Sequence, residues 1–509
     1  MSVDVDYSLY PHRLHNTNPT LFPTPLKESI PVPFLREEMT INTASQDTTP
    51  LMFIAYQNVI DGELSSTLLK QHTVNPATLE VNPDVPVSTP DDVERAVAAA
   101  KNAAEDWAQI PWSERVKALA AFANALESYA VEFAHIQVQE MGVPVSWFRT
   151  YTLPDNVIEE TPEGRVVERY TPIGVGVGII PWNAPVALAC FKIAPALLTG
   201  NTLILKPSPF APYCVLKVAE LGLRFFPRGV LQALSGNDQL GPWLTAHPGI
   251  GKVSFTGSCA TGKKVMESCS AHLKRVTLEL GGNDPAVVCE DVDPATVAQK
   301  IAAVALDRSG QFCMAIKRVY VHQSVYDDVL AEMVKYVGSL KLGNGLEEGT
   351  VIGPLANRPQ YERVKDLLAD IARTKLDVLP GDVSSTEGLH GFFIRPIVLN
   401  NPPEDARAVV EEAFGPIIPV MKWSEEAEVI RRANNTDYGL GASVWSRDLV
   451  QASRIADRLQ AGNVFINSHG DLQPSTAFTG HKHSGIGSDL GVEGLKGWCN
   501  IQSVYTKPL

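Results

Sequence analysis

The stretch SGQFCMAIKRV, residues 309–319, places Cys313 after a Ser-Gly turn signal and four residues before a basic pair. A cysteine in such a place is either a buried structural residue or a nucleophile. The thiolate is the reactive form, so the second interpretation requires neighbours that complete the reaction. Cys313 is therefore the first candidate for chemistry, and the rest of the chain must supply its partners.

Two further residues have types and positions that suit such a reaction. Glu279 ends the apolar run of VTLELGGNDP, where a desolvated carboxylate suits general-base work and a structural ion pair is the alternative. Asn183 lies between two prolines in IIPWNAPV, and the fixed backbone can aim its amide. An Asx turn is the alternative for Asn183.

Glycine and lysine positions suggest where an anion would bind. Gly257 and Ser258, in SFTGSCATGKKV, precede a helix start that offers free N–H groups, although a serine-capped turn fits equally well. Lys206 ends the run LILK at the edge where open α/β sheets bind ligands, unless it is simply solvated. The GVGVG run at 174–178 lacks the G-x-G-x-x-G spacing, and its glycines instead line one face of a strand. Together these parts suit a covalent thiol mechanism with a dinucleotide.

The elements that must position these residues follow an α/β pattern. FIAYQNVIDGE predicts a hairpin, TPDDVERAV predicts a helix capped at Thr89, and the stretch from SERVKAL to Gly142 predicts one long second helix. From about residue 170, short apolar runs alternate with helical or turn segments, which predicts parallel βα units in doubly wound sheets. These runs are GVGVGIIPW, NTLILKPS, GVLQALSG, GKVSFTGS, PAVVCE, RVYVHQS and VFIN.

Composition excludes several classes of protein. A chain of 509 residues predicts two or three domains, and the formal net charge of −14 without a basic run argues against nucleic acid or an anionic membrane as partner. No apolar stretch approaches the roughly 20 residues of a membrane helix, and no signal pattern is present. The seven scattered cysteines predict neither a disulfide framework nor a zinc site, so a cytoplasmic location is expected. Residues 1–50, rich in Pro, Asn and Thr, predict a disordered or surface-draped extension.

Eight motifs, from about residue 55 onward, resemble those of the aldehyde dehydrogenase superfamily in order and approximate spacing. They are PWNAP, KPS, SFTGS, LELGGN, GQFC, EEAFGP, DYGLGASVWS and SGIG. The resemblance implies two doubly wound parallel-sheet domains plus a small β oligomerisation arm. The expected divisions are a dinucleotide-binding domain at 51–147 and 168–281, a catalytic domain at 282–485, and the arm at 148–167 and 486–509.

The same resemblance implies a reaction and a role for each candidate. It makes Cys313 the nucleophile, Glu279 the general base and Asn183 a donor to the oxyanion, with Lys192 as a fourth catalytic residue. It assigns NAD or NADP to Pro181, Trp182, Lys206, Ser208, Pro209, Gly257, Ser258, Leu280, Glu412 and Phe414, and the substrate pocket to Trp182 and Phe478. An aldehyde would be oxidised through a cysteine thiohemiacetal and thioester, and no metal is expected.

The sequence also departs from the family pattern. Pro209 replaces a glutamate that grips the ribose 2′-hydroxyl, which makes NADP acceptable while NAD stays slightly favoured. The segment from Gly142 to Pro154 is short. Thr479 replaces a glycine and cannot take glycine's backbone angles cheaply, so the loop around Phe478 is expected to be reshaped. Arg308 could steer an acidic substrate, but we expect it to face solvent.

Two other functions are compatible with these residues. One is a catalytically weak or silent nucleotide-binding member of the same fold, which the departures favour and the three catalytic candidates oppose. The other is a cofactor-free thiol esterase, which has no use for Lys206 and lacks a histidine in a thiol-activating motif. For the leading function, the pocket candidates predict an apolar or aromatic aldehyde. The resemblance implies a homodimer or homotetramer, paired through residues 151–170 and NIQSVYTK.

Overall fold

The computed structural model describes residues 50–141, 153, 156–379 and 390–508. The expected extension at 1–50, apart from residue 50, and the short segment at 142–154, apart from residue 153, lie outside the described residues.

The described strands are short and mostly separated by helices. In chain order they are β1 (Asn58–Ile60), β2 (Glu63–Ser65), β3 (Lys70–Gln71), β4 (Val85–Pro86), β5 (Asn156–Thr161), β6 (Gly164–Pro172), β7 (Val175–Ile179), β8 (Thr202–Lys206), β9 (Leu231–Ala233), β10 (Lys252–Thr256), β11 (Arg275–Glu279), β12 (Asp284–Val288), β13 (Ile316–His322), β14 (Val378–Leu379), β15 (Ile397–Asn400), β16 (Ile417–Trp423), β17 (Gly441–Trp445), β18 (Asn463–Ile466), β19 (Phe478–Thr479), β20 (Gly485–Ile486), β21 (Ser488–Asp489) and β22 (Cys499–Thr506).

The described helices include three of sixteen residues or more. In chain order they are α1 (Pro90–Gln109), α2 (Trp112–Ser128), α3 (Ala130–Glu140), α4 (Pro185–Leu198), α5 (Tyr213–Gly222), α6 (Leu240–Ala246), α7 (Cys259–Ser270), α8 (Pro294–Ala305), α9 (Tyr326–Ser339), α10 (Arg358–Arg373), α11 (Arg407–Val410), α12 (Glu426–Asn434), α13 (Leu449–Ala456) and α14 (Gly491–Lys496). Two short 3₁₀ turns lie at Asp307–Gly310 and Lys482–Ser484.

The first sheet has the strand order β2-β1-β9-β8-β7-β10-β11-β20. Its five strands from β9 to β11 run parallel, and β1 and β20 pair antiparallel at the two sides. Helices α2 to α5 bury their apolar residues against one face, and α1, α6 and α7 bury theirs against the other. The sheet is thus doubly wound, as the alternating pattern predicted.

The second sheet has the order β14-β15-β16-β13-β12-β17-β18, and only β14 pairs antiparallel. Helices α8 and α9 cover one face, while α12 and α13 cover the other. The prediction of an α/β fold with two doubly wound parallel sheets is confirmed. Among the described residues, no helix is both long and apolar enough to cross a bilayer.

A third, antiparallel sheet of order β22-β6-β5 forms the small β element expected from the sequence. Its extent differs from the expected division at residue 486. Strand β20 pairs with β11 of the first sheet, and the Trp498 ring is buried there. Strand β21 then pairs with β19 in a separate two-stranded sheet, and the chain enters the third sheet only at Cys499, where β22 begins.

The prediction of one continuous helix from SERVKAL to Gly142 is wrong. The helix ends at Ser128 and a new one begins at Ala130, because Tyr129 has non-helical backbone angles (φ −104°, ψ 19°). The Tyr129 hydroxyl accepts a hydrogen bond from the Leu51 N–H, at 3.1 Å. The break in the helix thus falls at a residue that makes a tertiary contact. By contrast, the capped start at Thr89 is confirmed, since Thr89 and Asp92 form a capping box.

The alternating glycines of β7 make room for two large side chains. A β-carbon on Gly176 would overlap the Trp498 ring, and one on Gly178 would lie 3.3 Å from the Lys192 β-carbon. The expectation that these glycines serve one face of a strand is therefore met. They allow a tryptophan and a lysine to pack directly on the sheet.

Gly176→Ala is expected to lower the free energy of unfolding by about 2 kcal/mol, because the added methyl displaces the buried Trp498 ring. Chemical denaturation measures the change. Gly241→Ala in α6 is the matched control, since its methyl would meet no atom within 4 Å. Equal losses in both variants would contradict the explanation.

Candidate active site

Four of the candidate residues lie at the carboxyl edge of the first sheet. Lys206 ends β8, Glu279 ends β11, Gly257 follows β10, and Asn183 lies between β7 and α4. Parallel strands end at a common edge, so residues that are far apart in sequence come together there. These residues therefore lie at strand ends and turns, where the sequence patterns predicted them.

Cys313 reaches the same place from the second sheet, in the loop before β13. Arg308, Ser309 and Gly310 precede it with consecutive positive φ angles of 51°, 59° and 78°. A β-carbon on Gly310 would overlap the Gly415 carbonyl, so this turn needs glycine. The Ser-Gly signal thus marks a left-handed turn, and this turn places Cys313 at the edge of the first sheet.

Asn183 links the two sheets. Its side-chain Nδ2 donates to the Gln311 carbonyl, at 3.1 Å, two residues before Cys313. The Asx turn considered as an alternative would use the side chain as an acceptor, whereas here it donates across the site. A carboxamide nitrogen carries two N–H groups, so one fixes the side chain and a second can serve a ligand.

Glu279 is buried and lacks a partner among the described residues. Both carboxyl oxygens are inaccessible to solvent and make no hydrogen bond. Burial, reinforced by the charge of Asp489 and opposed by Lys192, raises the pKa of Glu279 well above its usual range. The structural ion pair is not formed, and the carboxylate, where it is ionised, can accept a proton from a bound molecule.

Lys192 instead pairs with Asp489. Its Nζ lies 2.8 Å from Asp489 Oδ2, and both side chains are almost fully buried. Lys192 comes from α4 and Asp489 from β21, 297 residues later. The pair places a positive charge close enough to oppose the rise in the pKa of Glu279.

The Cys313 thiol is reachable but protonated at neutral pH. The residue is only half-buried, yet burial raises the pKa of its thiol to about 12. Lys317 acts in the opposite direction. A positive charge brought near the sulfur would lower this pKa further and favour the thiolate.

Lys206 is buried, so the interpretation of a solvated lysine is wrong. Its Nζ donates to the Pro207 carbonyl, at 3.1 Å, and burial lowers its pKa to about 8. Ser208 is also buried and Pro209 is half-buried. The three residues form a polar edge where the first sheet ends.

The turn at Gly257 and Ser258 has a structural role of its own. Ser258 caps α7 by accepting from the Thr261 N–H, and the Gly257 N–H donates to the Glu279 carbonyl, at 3.0 Å. Leu280 is buried beside it and donates its N–H to the Ser484 carbonyl, at 2.9 Å. The serine-capped turn is thus present, and the helix N-terminus behind it still favours an anion.

The remaining cofactor candidates lie on both sides of the site. Glu412 is buried, its Oε1 accepts from the Gly282 N–H at 3.1 Å, and burial raises its pKa. The Trp182 and Phe414 rings meet edge-on, with their centroids 5.4 Å apart. Pro181 and Trp182 are both half-buried.

An apolar cluster surrounds Cys313. Its fully buried members are Met314, Leu440 and Phe478, and the partly buried ones are Phe312, Cys313, Phe465, Leu472 and Leu490. Phe478 was expected at the substrate pocket and belongs to this cluster. Trp182 is not a member, so the two pocket candidates lie in different surroundings.

Thr479 does not strain its loop. It lies in β19, paired with β21, and it is not among the residues with positive φ. Its hydroxyl donates to the Gly487 carbonyl, at 2.9 Å. Thr479 therefore adopts an extended conformation, which threonine accepts readily, and a loop reshaped relative to the family pattern stays a prediction.

Arg308 does not face solvent as expected. Its guanidinium lies 4.9 Å from the centre of the Phe312 ring, and only 17% of its side chain is exposed. Arg308 thus packs over a ring of the apolar cluster. This location leaves the steering of an acidic substrate open as a function.

Three residues of the site were missed from the sequence. They are Asp489, Lys317 and His469, whose Nε2 lies 3.0 Å from the Met314 carbonyl and 3.5 Å from Asp284. Lys317 had a signal, as part of the basic pair after the cysteine. Among the described residues, no group of acidic, histidine or cysteine side chains could hold a metal ion.

Comparison with known proteins gives consistent matches. The family model described as "Aldehyde dehydrogenase family" matches residues 64–504. The aldehyde dehydrogenase LUC3 of a Fusarium species is 36% identical over 467 residues, covering 89% of this chain and 99% of the relative. The phenylacetaldehyde dehydrogenase of Pseudomonas fluorescens is 35% identical over 458 residues, covering 84% and 91%.

A solved structure extends the match to three dimensions. It is an NAD⁺ complex of an aldehyde dehydrogenase from Bacillus cereus, which is 32% identical and superposes with a TM-score of 0.85. The match covers 89% of this chain and 97% of that one.

Proposed function

The chain belongs to the aldehyde dehydrogenase family, and from that premise we propose that it oxidises an aldehyde to the carboxylic acid with NAD or NADP. The observation that carries the proposal is the meeting of three groups from two sheets. The Asn183 amide donates to the loop of Cys313, at 3.1 Å, and the unpartnered Glu279 carboxyl group ends β11 at the same edge.

The residues act in sequence. The Cys313 thiol first gives up its proton to solvent. The thiolate sulfur then adds to the aldehyde carbonyl carbon, and the carbonyl oxygen becomes an oxyanion that the Asn183 amide and the Cys313 N–H stabilise. The bound cofactor supplies the hydride acceptor at its nicotinamide ring. Loss of hydride leaves a thioester on Cys313. Glu279 then takes a proton from water, the water oxygen attacks the thioester carbon, and the acid departs as the thiolate is restored.

The residues at the sheet edge fit a dinucleotide. Lys206 and Ser208 would hold the adenosine ribose, Gly257 and Ser258 the pyrophosphate, and Glu412 with Phe414 the nicotinamide ribose. Thr256 supports this fit, because its buried hydroxyl has no hydrogen-bond partner in the described residues and lies directly before the turn. Pro181, Trp182 and Leu280 would bound the same groove. Lys192 would stabilise the charges around Glu279 through its pair with Asp489.

Both nicotinamide cofactors fit, with NAD slightly favoured. Pro209 offers no carboxylate to grip a 2′-hydroxyl or to repel a 2′-phosphate. The half-buried ring also offers no cation to bind that phosphate. The ratio of kcat/KM for NAD and NADP therefore measures what Pro209 contributes.

We infer an apolar or aromatic aldehyde as the substrate. The support is the apolar cluster around Cys313, to which three phenylalanines belong. Phe478 would contact the substrate there, and Trp182 would contact it from the cofactor side. A phenylacetaldehyde dehydrogenase is among the relatives.

The experiment that tests the function is absorbance at 340 nm with a panel of apolar, aromatic, cationic and anionic aldehydes, for each cofactor separately. We expect NAD(P)H to form fastest with the aromatic members. Turnover of charged semialdehydes alone would overturn the substrate class. Cofactor binding without turnover of any aldehyde would favour the silent member of the family.

We also propose that the chain forms a homodimer or homotetramer through the sheet of β5, β6 and β22. All six residues of β5 are exposed, and Ile501 and Tyr505 on β22 are 65% and 75% exposed. Large apolar side chains on an exposed sheet mark an interaction surface.

All seven cysteines are free, which supports a cytoplasmic location.

The double variant Ile501→Asp with Tyr505→Asp is expected to convert the assembly to monomers, because buried unpaired carboxylates oppose association. Light scattering measures the mass. Leu273→Asp is the control, since Leu273 is 91% exposed outside this sheet. An unchanged mass in the double variant would refute this interface.

A further inference from the structure

Lys317 occupies the centre of the loop that carries Cys313. The side chain is buried, and its Nζ donates to the carbonyls of Cys313 at 2.6 Å and Phe312 at 3.1 Å. The same nitrogen lies 3.4 Å from Glu412 Oε1 and 3.5 Å from the Ala315 carbonyl. An ammonium group has three N–H bonds, so all of its donors have acceptors.

These contacts determine where the backbone N–H groups of the loop point. A trans peptide is planar, and its C=O and N–H point in opposite directions. When Lys317 holds the Phe312 carbonyl, the Cys313 N–H must point away from Lys317. Holding the Cys313 carbonyl turns the Met314 N–H in the same manner. Within the described residues, neither N–H makes a hydrogen bond, so both can serve an oxyanion.

The neighbouring carbonyls are held as well. Asn183 donates to the Gln311 carbonyl at 3.1 Å, and the His469 ring lies 3.0 Å from the Met314 carbonyl. Four consecutive carbonyls, from Gln311 to Met314, thus contact side-chain nitrogens. Lys317 contacts the two central ones, on either side of the nucleophile's own α-carbon. The Phe312 carbonyl also accepts from the Ala315 N–H, at 3.0 Å, whereas Lys317 is the side chain that holds the Cys313 carbonyl.

The charge of Lys317 also acts on the sulfur. Burial raises the pKa of Cys313 most, and the carboxyl groups of Glu412, Asp284 and Glu279 raise it further. Among the groups that act on the thiol, Lys317 is the cation that lowers this pKa. If Lys317 were removed, the three carboxyl groups would still raise the pKa of Cys313, and the opposing charge of Lys317 would be lost. The His469 ring lies at the neighbouring Met314 carbonyl.

We propose that Lys317 is a positioning residue for the reaction: its ammonium group aims the Cys313 N–H at the oxyanion and stabilises the thiolate. This inference rests on the proposed function, since it takes Cys313 as the nucleophile. It assigns a mechanistic task to a lysine that would otherwise be a costly buried charge.

The test compares iodoacetamide alkylation of Cys313 from pH 7 to pH 10, followed by peptide mass, in wild type, Lys317→Met and Lys317→Gln. In wild type the rate should rise throughout this range, because the thiol pKa of about 12 lies above it. Both variants should react roughly 3- to 10-fold more slowly at each pH, as expected for a pKa raised by about one unit. The amide introduced by Lys317→Gln can still donate to the carbonyls, so this variant retains a partner for each in case the Met variant does not fold.

Steady-state kinetics test the orientation of the Cys313 N–H, whereas alkylation tests the stabilisation of the thiolate. We expect kcat to fall about 100-fold in Lys317→Met and less in Lys317→Gln, with KM for the aldehyde little changed, because the oxyanion donor is misaimed. Lys217→Met is the matched control, since Lys217 is equally buried but pairs with Glu220, at 2.6 Å, on α5.

Each outcome has a defined meaning. Unchanged alkylation and kcat in both Lys317 variants would overturn the positioning role while leaving Cys313 as the nucleophile. Equal losses in Lys217→Met would show that removing any buried lysine is sufficient, which also overturns it. Full dehydrogenase activity in Cys313→Ala would instead exclude Cys313 as the nucleophile and overturn the inference about Lys317 with it, whereas a wild type that reduces no cofactor with any aldehyde would refute the proposed function itself.

Discussion

Cys313→Ala is expected to lower aldehyde-dependent NAD(P)H formation by about 10⁴-fold or more, because no other group can form the thioester. Cysteines elsewhere in the chain cannot substitute. Cys289, directly after β12, is fully buried, so an aldehyde cannot reach its thiol. The measurement is initial rate at 340 nm together with fluorescence titration of the cofactor.

The control for this variant is Cys289→Ala, which removes a buried thiol outside the site. We expect it to keep its rate and to lose some thermal stability. Cofactor affinity should be unchanged in Cys313→Ala, because Lys206, Gly257 and Ser258 are untouched. A Cys313→Ala protein that still reduces the cofactor at the wild-type rate would exclude the covalent mechanism.

Glu279→Gln is expected to stop the reaction after the thioester has formed. The variant should release one NAD(P)H per active site in a rapid burst, and its steady-state rate should then fall about 10²- to 10⁴-fold. The amide retains the shape of the carboxyl group but cannot take a proton from water. Stopped-flow absorbance measures the burst, and intact mass detects the acylated Cys313.

The rate of thioester hydrolysis should depend on pH in a defined direction. Burial raises the pKa of Glu279, so the carboxylate fraction, and with it hydrolysis in the wild type, should still be increasing with pH above the range in which an exposed glutamate is already fully ionised. Glu140→Gln is the matched control, because Glu140 is also buried but accepts from the Tyr213 N–H on α5, at 2.9 Å. A Glu279→Gln protein without a burst and with normal turnover would remove Glu279 from the mechanism.

Local patterns predicted the fold and the principal candidates because each depended on short-range chemistry. The alternation of apolar runs located the strands β7 to β13, and strand ends located Lys206 and Glu279. The capped helix at Thr89 followed from four residues. These features are determined within a few residues of the chain, so a single sequence contains them.

The residues that the sequence did not predict depend on long-range contacts. Asp489 matters because Lys192, 297 residues earlier, is buried beside it. Tyr129, at which the helix is interrupted, makes its hydroxyl hydrogen bond to Leu51, 78 residues earlier. Thr479 was known from the sequence to avoid glycine's backbone angles, but its pairing with Ser488 on β21 depends on the fold. No periodicity encodes such pairings, since they arise only when separate elements pack together.

The seating of Trp498 on Gly176, beside the Lys192–Asp489 pair, affects how the chain is made. The first sheet begins to emerge from the ribosome hundreds of residues before its last parts exist. At about 5–20 residues per second, the 297 residues between Lys192 and Asp489 take roughly 15–60 s to synthesise. During that time Lys192 on α4 has not yet gained Asp489 as its partner, and Gly176 on β7 is not yet covered by the Trp498 ring. A nascent chain released before Trp498 would therefore lack more than the β22 strand: its first sheet would be left open to chaperones and proteases.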